Sequence, residues 1–193
     1  CFNKMKKKII QYKIFFFLLL FSTSLYSQNK AVLENLENIG AKMGQDTAMV
    51  NMYIRLGNKY ANDQKSDSAL LIVNKGLFLA KKLDYTYGIA ELYALHGDIK
   101  VVQNELFEAL GYYLNSVEYF DEGNFMRKLG DVLLVIGNIY ITQANYPKAL
   151  EYYQKGLVIA DSLNLVKMIA YFYNNMGELY YKKVSQLFPV RIQ

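Results

Sequence analysis

The stretch "NYPKALEYYQKGLVIA", residues 145–160, has two earlier counterparts at a fixed distance: "ELFEALGYYLNSVEYF" at 105–120 and "KSDSALLIVNKGLFLA" at 65–80. The three share Ala149, Ala109 and Ala69, each followed by a leucine (Leu150, Leu110, Leu70). Twelve residues before each alanine stands a glycine (Gly137, Gly97, Gly57), and Gly177 extends that column by the same step of forty. Three residues after the glycines come Tyr60, Lys100, Tyr140 and Tyr180; four before them come Tyr53, Tyr93, Leu133 and Tyr173. Columns that stay in register over so long a span are internal repetition, the mark of stacked supersecondary units.

Each unit reads as a helical hairpin. In the third, "DVLLVIGNIYITQ" spaces its apolar residues for a helix, "ANY" interrupts it, and Pro147 opens the next helix, where its missing N–H costs nothing. Asn145 or the preceding turn can cap that helix. The small residues of the glycine and alanine columns let paired helices approach, while tyrosine and leucine fill the space around them. The pattern predicts helices near 31–44, 48–62, 67–82, 86–101, 106–121, 125–143, 147–162 and 166–183. Connections this short force neighbouring helices antiparallel, and a constant unit repeated in line builds an all-α solenoid instead of a closed bundle.

The first residues stand apart. From Met5 the chain runs through a basic cluster (Lys6, Lys7, Lys8, Lys13), an apolar block at Ile14–Phe21 and small polar residues, the layout of a secretory signal peptide, with cleavage expected after Ser27. The apolar block is well short of the ~20 residues a spanning helix needs, and an uncleaved anchor is the alternative. The four residues before Met5, "CFNK", read as an upstream remnant. Segment 1–27 holds five of the 22 basic residues and none of the 17 acidic ones, so the remainder is charge-balanced, with seventeen of each. A neutral body with no basic stripe is a poor ligand for nucleic acid or an anionic membrane, both of which are bound by neutralising phosphates. Cys1, the sole cysteine, precedes the signal, so the mature chain has no disulfide, thiol nucleophile or thiolate metal site.

With these columns the chain resembles the tetratricopeptide repeat (TPR) family, in a forty-residue bacterial subtype. The order aromatic, "LG" or its variant, tyrosine, alanine, apolar residue, small residue is carried by "YIRLGNKYANDQKSDSALLIVNKG" (53–76) and "LLVIGNIYITQANYPKALEYYQKG" (133–156). The resemblance covers about residues 48–183 and implies antiparallel hairpins stacked as a right-handed α-solenoid. The expected organisation is a signal peptide at 1–27 (5–27 proper), an N-terminal capping helix within 28–47, units at 48–85, 86–124, 125–165 and an incomplete 166–183, and a tail at 184–193. Two departures stand out. Lys100 replaces the expected tyrosine, which predicts looser packing in the second unit. The fourth unit keeps Tyr173, Gly177 and Tyr180 and then lacks a second helix of the expected pattern: either the tail folds back with Leu187 and Phe188 as a makeshift cap, or the natural chain continues, and the irregular ends favour the second.

The sequence offers little chemistry. His96, the only histidine, sits where the repeat has leucine and reads as a packed core residue instead of a general base. Neither a catalytic triad nor a zinc set can be assembled, and no phosphate-binding glycine string occurs. Carboxylates at Glu105, Glu108, Glu118, Asp121 and Glu122 read as solvated charges on helix faces. No catalytic, metal-binding or cofactor-binding residue is expected, and no cofactor.

The resemblance does imply a binding surface. In tetratricopeptide arrays the first helix of each unit lines the concave face, and the position after the glycine points into it: here Asn58, Asp98, Asn138 and Glu178. An asparagine offers both donor and acceptor and suits the main chain of an extended peptide. Asn51, Arg55, Asn62, Glu91, Asp131 and Asn174 are expected to share the surface. Lysines of the carboxylate clamp of chaperone-binding members are missing, with Ile54 and Asn62 in those places, which disfavours capture of an acidic tail. The same polar residues also read as groups that merely keep a concave face hydrated. The expected function is an exported, non-catalytic, periplasmic or extracellular scaffold whose partner is a protein or peptide, with no nucleic acid, and a membrane only through an uncleaved signal or further sequence. The alternative is the sensor region of a larger bacterial signalling protein with a histidine kinase or DNA-binding output.

Overall fold

The computed structural model describes Glu34 and residues 46–187. The signal-like segment, the rest of the expected capping helix and residues 188–193, Phe188 among them, lie outside the described residues. The chain divides into two compact units, Cys1–Met49 and Val50–Gln193. In the first, Asp46 Oδ1 accepts the Met49 N–H at 3.0 Å, an N-cap that starts helix α1, Thr47–Asn62. The second continues α1 and adds α2 (Ser66–Lys82), α3 (Thr86–Val102), α4 (Leu106–Glu122), α5 (Met126–Thr142), α6 (Tyr146–Ser162) and α7 (Val166–Leu187). Among the described residues there is no strand. For the seven helices within the described residues the boundaries expected from periodicity hold to within a residue, except that α7 runs on to Leu187, while the helix expected at 31–44 lies outside them save for Glu34.

Every connection between the described helices is the same three-residue turn. Its middle residue takes a left-handed conformation, with φ between 50° and 61° at Gln64, Asp84, Asn104, Asn124, Ala144 and Asn164. The N–H of the following residue reaches back five positions, as in Lys65 to Tyr60 O at 2.9 Å and Asn145 to Tyr140 O at 2.8 Å. This Schellman closure satisfies carbonyls that a helix end would leave bare. Four of the six left-handed positions are asparagine or aspartate, the L-residues that tolerate this region best. The turns recur every twenty residues, so the backbone repeats once per helix and the side chains once per pair. At the head of α6 the Asn145 side chain accepts the Lys148 N–H at 3.4 Å, and Pro147 takes the second helical position behind Tyr146.

Two columns of small residues hold the helices together. Within each hairpin, a glycine of the first helix receives a side chain sixteen residues on: Val73 against Gly57, Tyr113 against Gly97, Tyr153 against Gly137. A Cβ on Gly97 would lie 2.7 Å from Tyr113 Cε1, and one on Gly137 would lie 2.5 Å from Tyr153 Cδ1. Between hairpins the relation passes on: Gly76 of α2 receives Leu92 of α3, and Gly156 of α6 receives Phe172 of α7. Ser116 stands in that second column on α4, fully buried, its hydroxyl satisfied by the Tyr113 carbonyl at 2.8 Å. Ala69, Ala109 and Ala149 are without solvent exposure. The fourth unit differs. A Cβ on Gly177 would meet nothing within 4 Å, and Tyr173 and Tyr180 are 59% and 51% exposed where Leu133 and Tyr140 are 4% and 8%.

Lys100 does not leave a gap. In the first and third units the tyrosine of that column lies under an ammonium, Lys65 over Tyr60 and Lys148 over Tyr140. The second unit exchanges the parts: Lys100 stands at the tyrosine position and is paired with Glu105 and with Glu108, the latter at 2.7 Å. Glu105 and Glu108, expected as solvated charges, are therefore the partners that replace a cation–ring contact with ion pairs.

Glycines in and out of contact separate the packing role from helix propensity. Gly137→Ala is expected to destabilise the fold by about 1–3 kcal/mol, because the added methyl must displace the Tyr153 ring. Gly111→Ala, where nothing lies within 4 Å, is expected to stabilise by about 0.5–1 kcal/mol through propensity alone. Urea melts of the two variants check this, and equal effects would remove the packing role.

Candidate functional site

The tyrosines that fill the glycine notches also shape the surface on the far side. Because Asp98 and Asn138 follow those glycines directly, the ring that passes the glycine brings its hydroxyl to the next side chain. Tyr113 donates to Asp98 Oδ1 and Tyr153 to Asn138 Oδ1, both at 2.6 Å. Asn138 Oδ1 also accepts from Asn175 Nδ2 at 3.0 Å, which ties α5 to α7. In the first unit valine stands in place of the tyrosine, and Asn58 Nδ2 turns back to its own helix, to Ile54 O at 2.9 Å.

Two concavities follow this column. The first, about 320 Å³, gathers Asn58 from α1, Glu91, Leu95 and Asp98 from α3, Tyr113 and Phe120 from α4, and Lys128, Asp131, Val132 and Val135 from α5. The second, about 210 Å³, gathers Asn138 and Thr142 from α5, Tyr153 from α6, and Asn175, Glu178 and Lys182 from α7. Of the ten residues expected on the binding face, Asn58, Glu91, Asp98 and Asp131 line the first and Asn138 and Glu178 the second. The other four, Asn51, Arg55, Asn62 and Asn174, are exposed and line neither. Asn51 accepts a long hydrogen bond from the Tyr85 hydroxyl, 3.4 Å.

The first concavity is acidic. Lys128 Nζ is 2.6 Å from Glu91 Oε1 and neutralises one carboxylate of three. Asp98 is open to the groove, yet the surrounding protein removes enough water to push its carboxyl above the ordinary value, with Glu91 adding to the rise and the Tyr113 hydrogen bond opposing it. Asp131 is raised as well, chiefly by burial, with Lys128 and Arg127 opposing. In the second concavity burial pushes the Tyr153 hydroxyl up to about 12, with the Glu178 charge a smaller cause. Glu178 and Lys182 pair at 2.8 Å, so that pocket is close to neutral.

Tyr113, Tyr153, Lys128, Asn175 and Lys182 were not expected at this surface. The tyrosines carried a signal: the dipeptide Tyr112–Tyr113 recurs forty residues later as Tyr152–Tyr153. The first member of each pair stacks on the first helix of its hairpin, Tyr112 on His96 at 4.5 Å and Tyr152 on Tyr140 at 5.5 Å; the second fills the glycine notch.

His96 is a core residue, 3% exposed. Burial holds its imidazole below the ordinary value of 6.5, and the Lys100 charge works the same way. Above pH 6.5 both folded and unfolded chains carry it neutral, whereas below 6.5 the unfolded chain takes the proton first. Stability is thus full above that value and is lost as pH falls toward the folded value. His96→Leu should flatten this part of the acid limb in thermal melts between about pH 5 and 7; an unchanged limb would remove the assignment.

No family model matches the chain, and no curated protein matches it. Its structure is similar to that of a signal transduction ATPase (STAND) protein with a tetratricopeptide repeat sensor from Pyrococcus horikoshii, with TM-score 0.69 and 23% identity over 78% of this chain and 23% of that one. It is also similar to a Rap protein complexed with Competence and Sporulation Factor, with TM-score 0.61 and 21% identity over 85% and 43%. A third similar structure is the TPR2AB domain of yeast Sti1 in complex with pHSP90, with TM-score 0.56 and 19% identity over 72% and 51%. The chain spans no more than about half the length of these proteins. At such identities the likeness is one of fold: an all-α stack of TPR-like helical hairpins.

Proposed function

We infer that this chain is an exported, non-catalytic interaction scaffold that binds an extended segment of a protein or peptide along the face lined by α1, α3, α5 and α7. The observation that carries the reading is the convergence of Asn58, Glu91, Asp98 and Asp131, from three successive hairpins, on one concavity of about 320 Å³. A floor of Leu95, Val132 and Val135 beneath polar walls suits a backbone with side chains on either side of it. The named complexes of similar structures, with pHSP90 and with Competence and Sporulation Factor, support a peptide or protein as ligand. Three carboxylates against one ammonium favour a neutral or basic segment over an acidic tail. Export rests on the layout of residues 5–27.

The test is selection of binders from a displayed random-peptide library on the full chain, followed by affinity measurements on variants. Asn58→Ala and Asp131→Ala are the clean choices, because neither side chain holds a neighbouring helix in place. Each should weaken selected peptides by about tenfold, or ~1.4 kcal/mol, with helix content unchanged. Binders indifferent to both changes would place recognition elsewhere.

A second reading draws on the tetratricopeptide repeat sensor of the signal transduction ATPase from P. horikoshii: this chain as the sensor region of a larger signalling protein. Sequencing downstream of the codon for Gln193 tests it. A stretch of about twenty apolar residues followed by an output domain supports this reading; a stop codon ends it.

A further inference from the structure

The second concavity has its polarity set by a buried phenol. The oxygen and nitrogen of a carboxamide fill nearly the same space, so which of them faces a pocket is decided by the groups on its other side. At Asn138 one of those groups is the Tyr153 hydroxyl. The tyrosine is 1% exposed and burial pushes its hydroxyl up to about 12, so it keeps its proton and must place it on an acceptor. That acceptor is Asn138 Oδ1, 2.6 Å away. Asn175 Nδ2 donates to the same oxygen at 3.0 Å. An Asn138 turned the other way would set an N–H against the Tyr153 proton. The two donors therefore hold the oxygen inward and leave the amide nitrogen on the open side, where among the described residues it has no partner. Other polar groups of this pocket are engaged: the Thr142 hydroxyl donates to the Asn138 carbonyl at 3.1 Å, and Lys182 pairs with Glu178 at 2.8 Å.

The preceding hairpin is built with the opposite sign. There Tyr113 donates to Asp98, and a carboxylate has only acceptors to give a ligand. Val135 stands where the third hairpin has Asn175. We propose that Tyr153 and Asn175 are positioning residues that hold Asn138 nitrogen-outward, so that the second concavity donates to an amide carbonyl of the bound segment where the first accepts from it. This rests on the reading of the groove as a peptide-binding face and adds a polarity to it. With Glu178 and Lys182 cancelling each other, nothing in the pocket compensates a charge on the ligand, so the carbonyl is that of a neutral amide. It comes from the main chain or from an asparagine or glutamine side chain.

Two isosteric changes that add the same charge test the orientation without any ligand. Asn138→Asp keeps an oxygen toward Tyr153 and Asn175, as Asp98 already does toward Tyr113, whereas Asn175→Asp sets oxygen against oxygen. The first should leave the thermal midpoint within about 1 °C and the second should lower it by about 2–4 °C. The reverse order, or equal shifts, would overturn the proposal. Peptides selected on the wild-type chain then read the outward group. Asn138→Asp should weaken them about tenfold, and Tyr153→Phe about threefold, an effect that vanishes once Asn138 is alanine. A Tyr153→Phe effect that survives in the Asn138→Ala background would reduce the ring to a structural role and overturn the positioning. Peptides that respond to Asn58→Ala but not to Asn138→Asp would overturn the donor while the groove reading stands; peptides indifferent to both, and to Asp131→Ala, would overturn the two together. Alanine scanning of a peptide identifies the source, and either result supports the proposal: the Asn138→Asp loss persists throughout for a main-chain carbonyl and disappears with one asparagine or glutamine for a side chain.

Discussion

The stack depends on glycine notches that admit rings. An α-helix is too wide for a tyrosine to cross between two axes at ordinary separation, and the missing Cβ at Gly97 and Gly137 gives Tyr113 and Tyr153 that passage. The ring then excludes water from the seam, and both tyrosines are almost fully buried, at 2% and 1% exposure. Since the second small column passes the same relation to the next hairpin at Gly76 and Gly156, one local device recurs along the array. Its identical three-residue turns keep the helices in phase, so the notches from Gly57 to Gly156 each meet an apolar side chain, a ring at Gly97, Gly137 and Gly156.

The concave surface is a consequence of that device. A tyrosine long enough to cross the seam delivers its hydroxyl to the residue after the glycine, so the column that lines the two concavities is also the column that anchors the packing. Asn138 is committed on its oxygen to Tyr153 and Asn175, and Asp98 to Tyr113. Asn58, with valine behind it, is bound only within its own helix and is the easiest of the three to turn toward a partner. The surface is therefore graded, stiff at α5 and adaptable at α1.

Much of the architecture was legible because it is written in side chains that repeat. Gly57, Gly97 and Gly137, the alanine column and the alternating helical periods each leave a residue-type signature at fixed spacing. The turns left a fainter one: their left-handed positions hold Gln64, Asp84, Asn104, Asn124, Ala144 and Asn164, with no glycine to advertise the twenty-residue backbone repeat. Lys100 misleads when its column is read residue by residue, because packing is a property of pairs, and Glu105 and Glu108 differ along with it. At the groove, position after a glycine located one helix face well, but fine direction was beyond it. Asn175, not Asn174, reaches Asn138, because a step of one residue turns a helical side chain by about 100°. Lys128 and Lys182 escaped notice since lysine on a helix surface is ordinary until its partner is known.

Linear connectivity governs how these parts can influence one another. In a stack each hairpin touches only its neighbours, so stability is a sum of units and of the seams between them. A helix with one seam instead of two is held less firmly than the rest, and the exposed face that carries Tyr173 and Tyr180 makes α7 such a helix. A ligand bridging Asn58, Glu91 and Asp131 would draw together α1, α3 and α5, and its binding would add stability across the first three hairpins. Cover on that face of α7 would act at the other end, supplying the missing seam. The Asn138–Asn175 bond is the one described side-chain hydrogen bond that crosses from α5 to α7, so it is the polar route by which firmness gained at α7 passes into the groove.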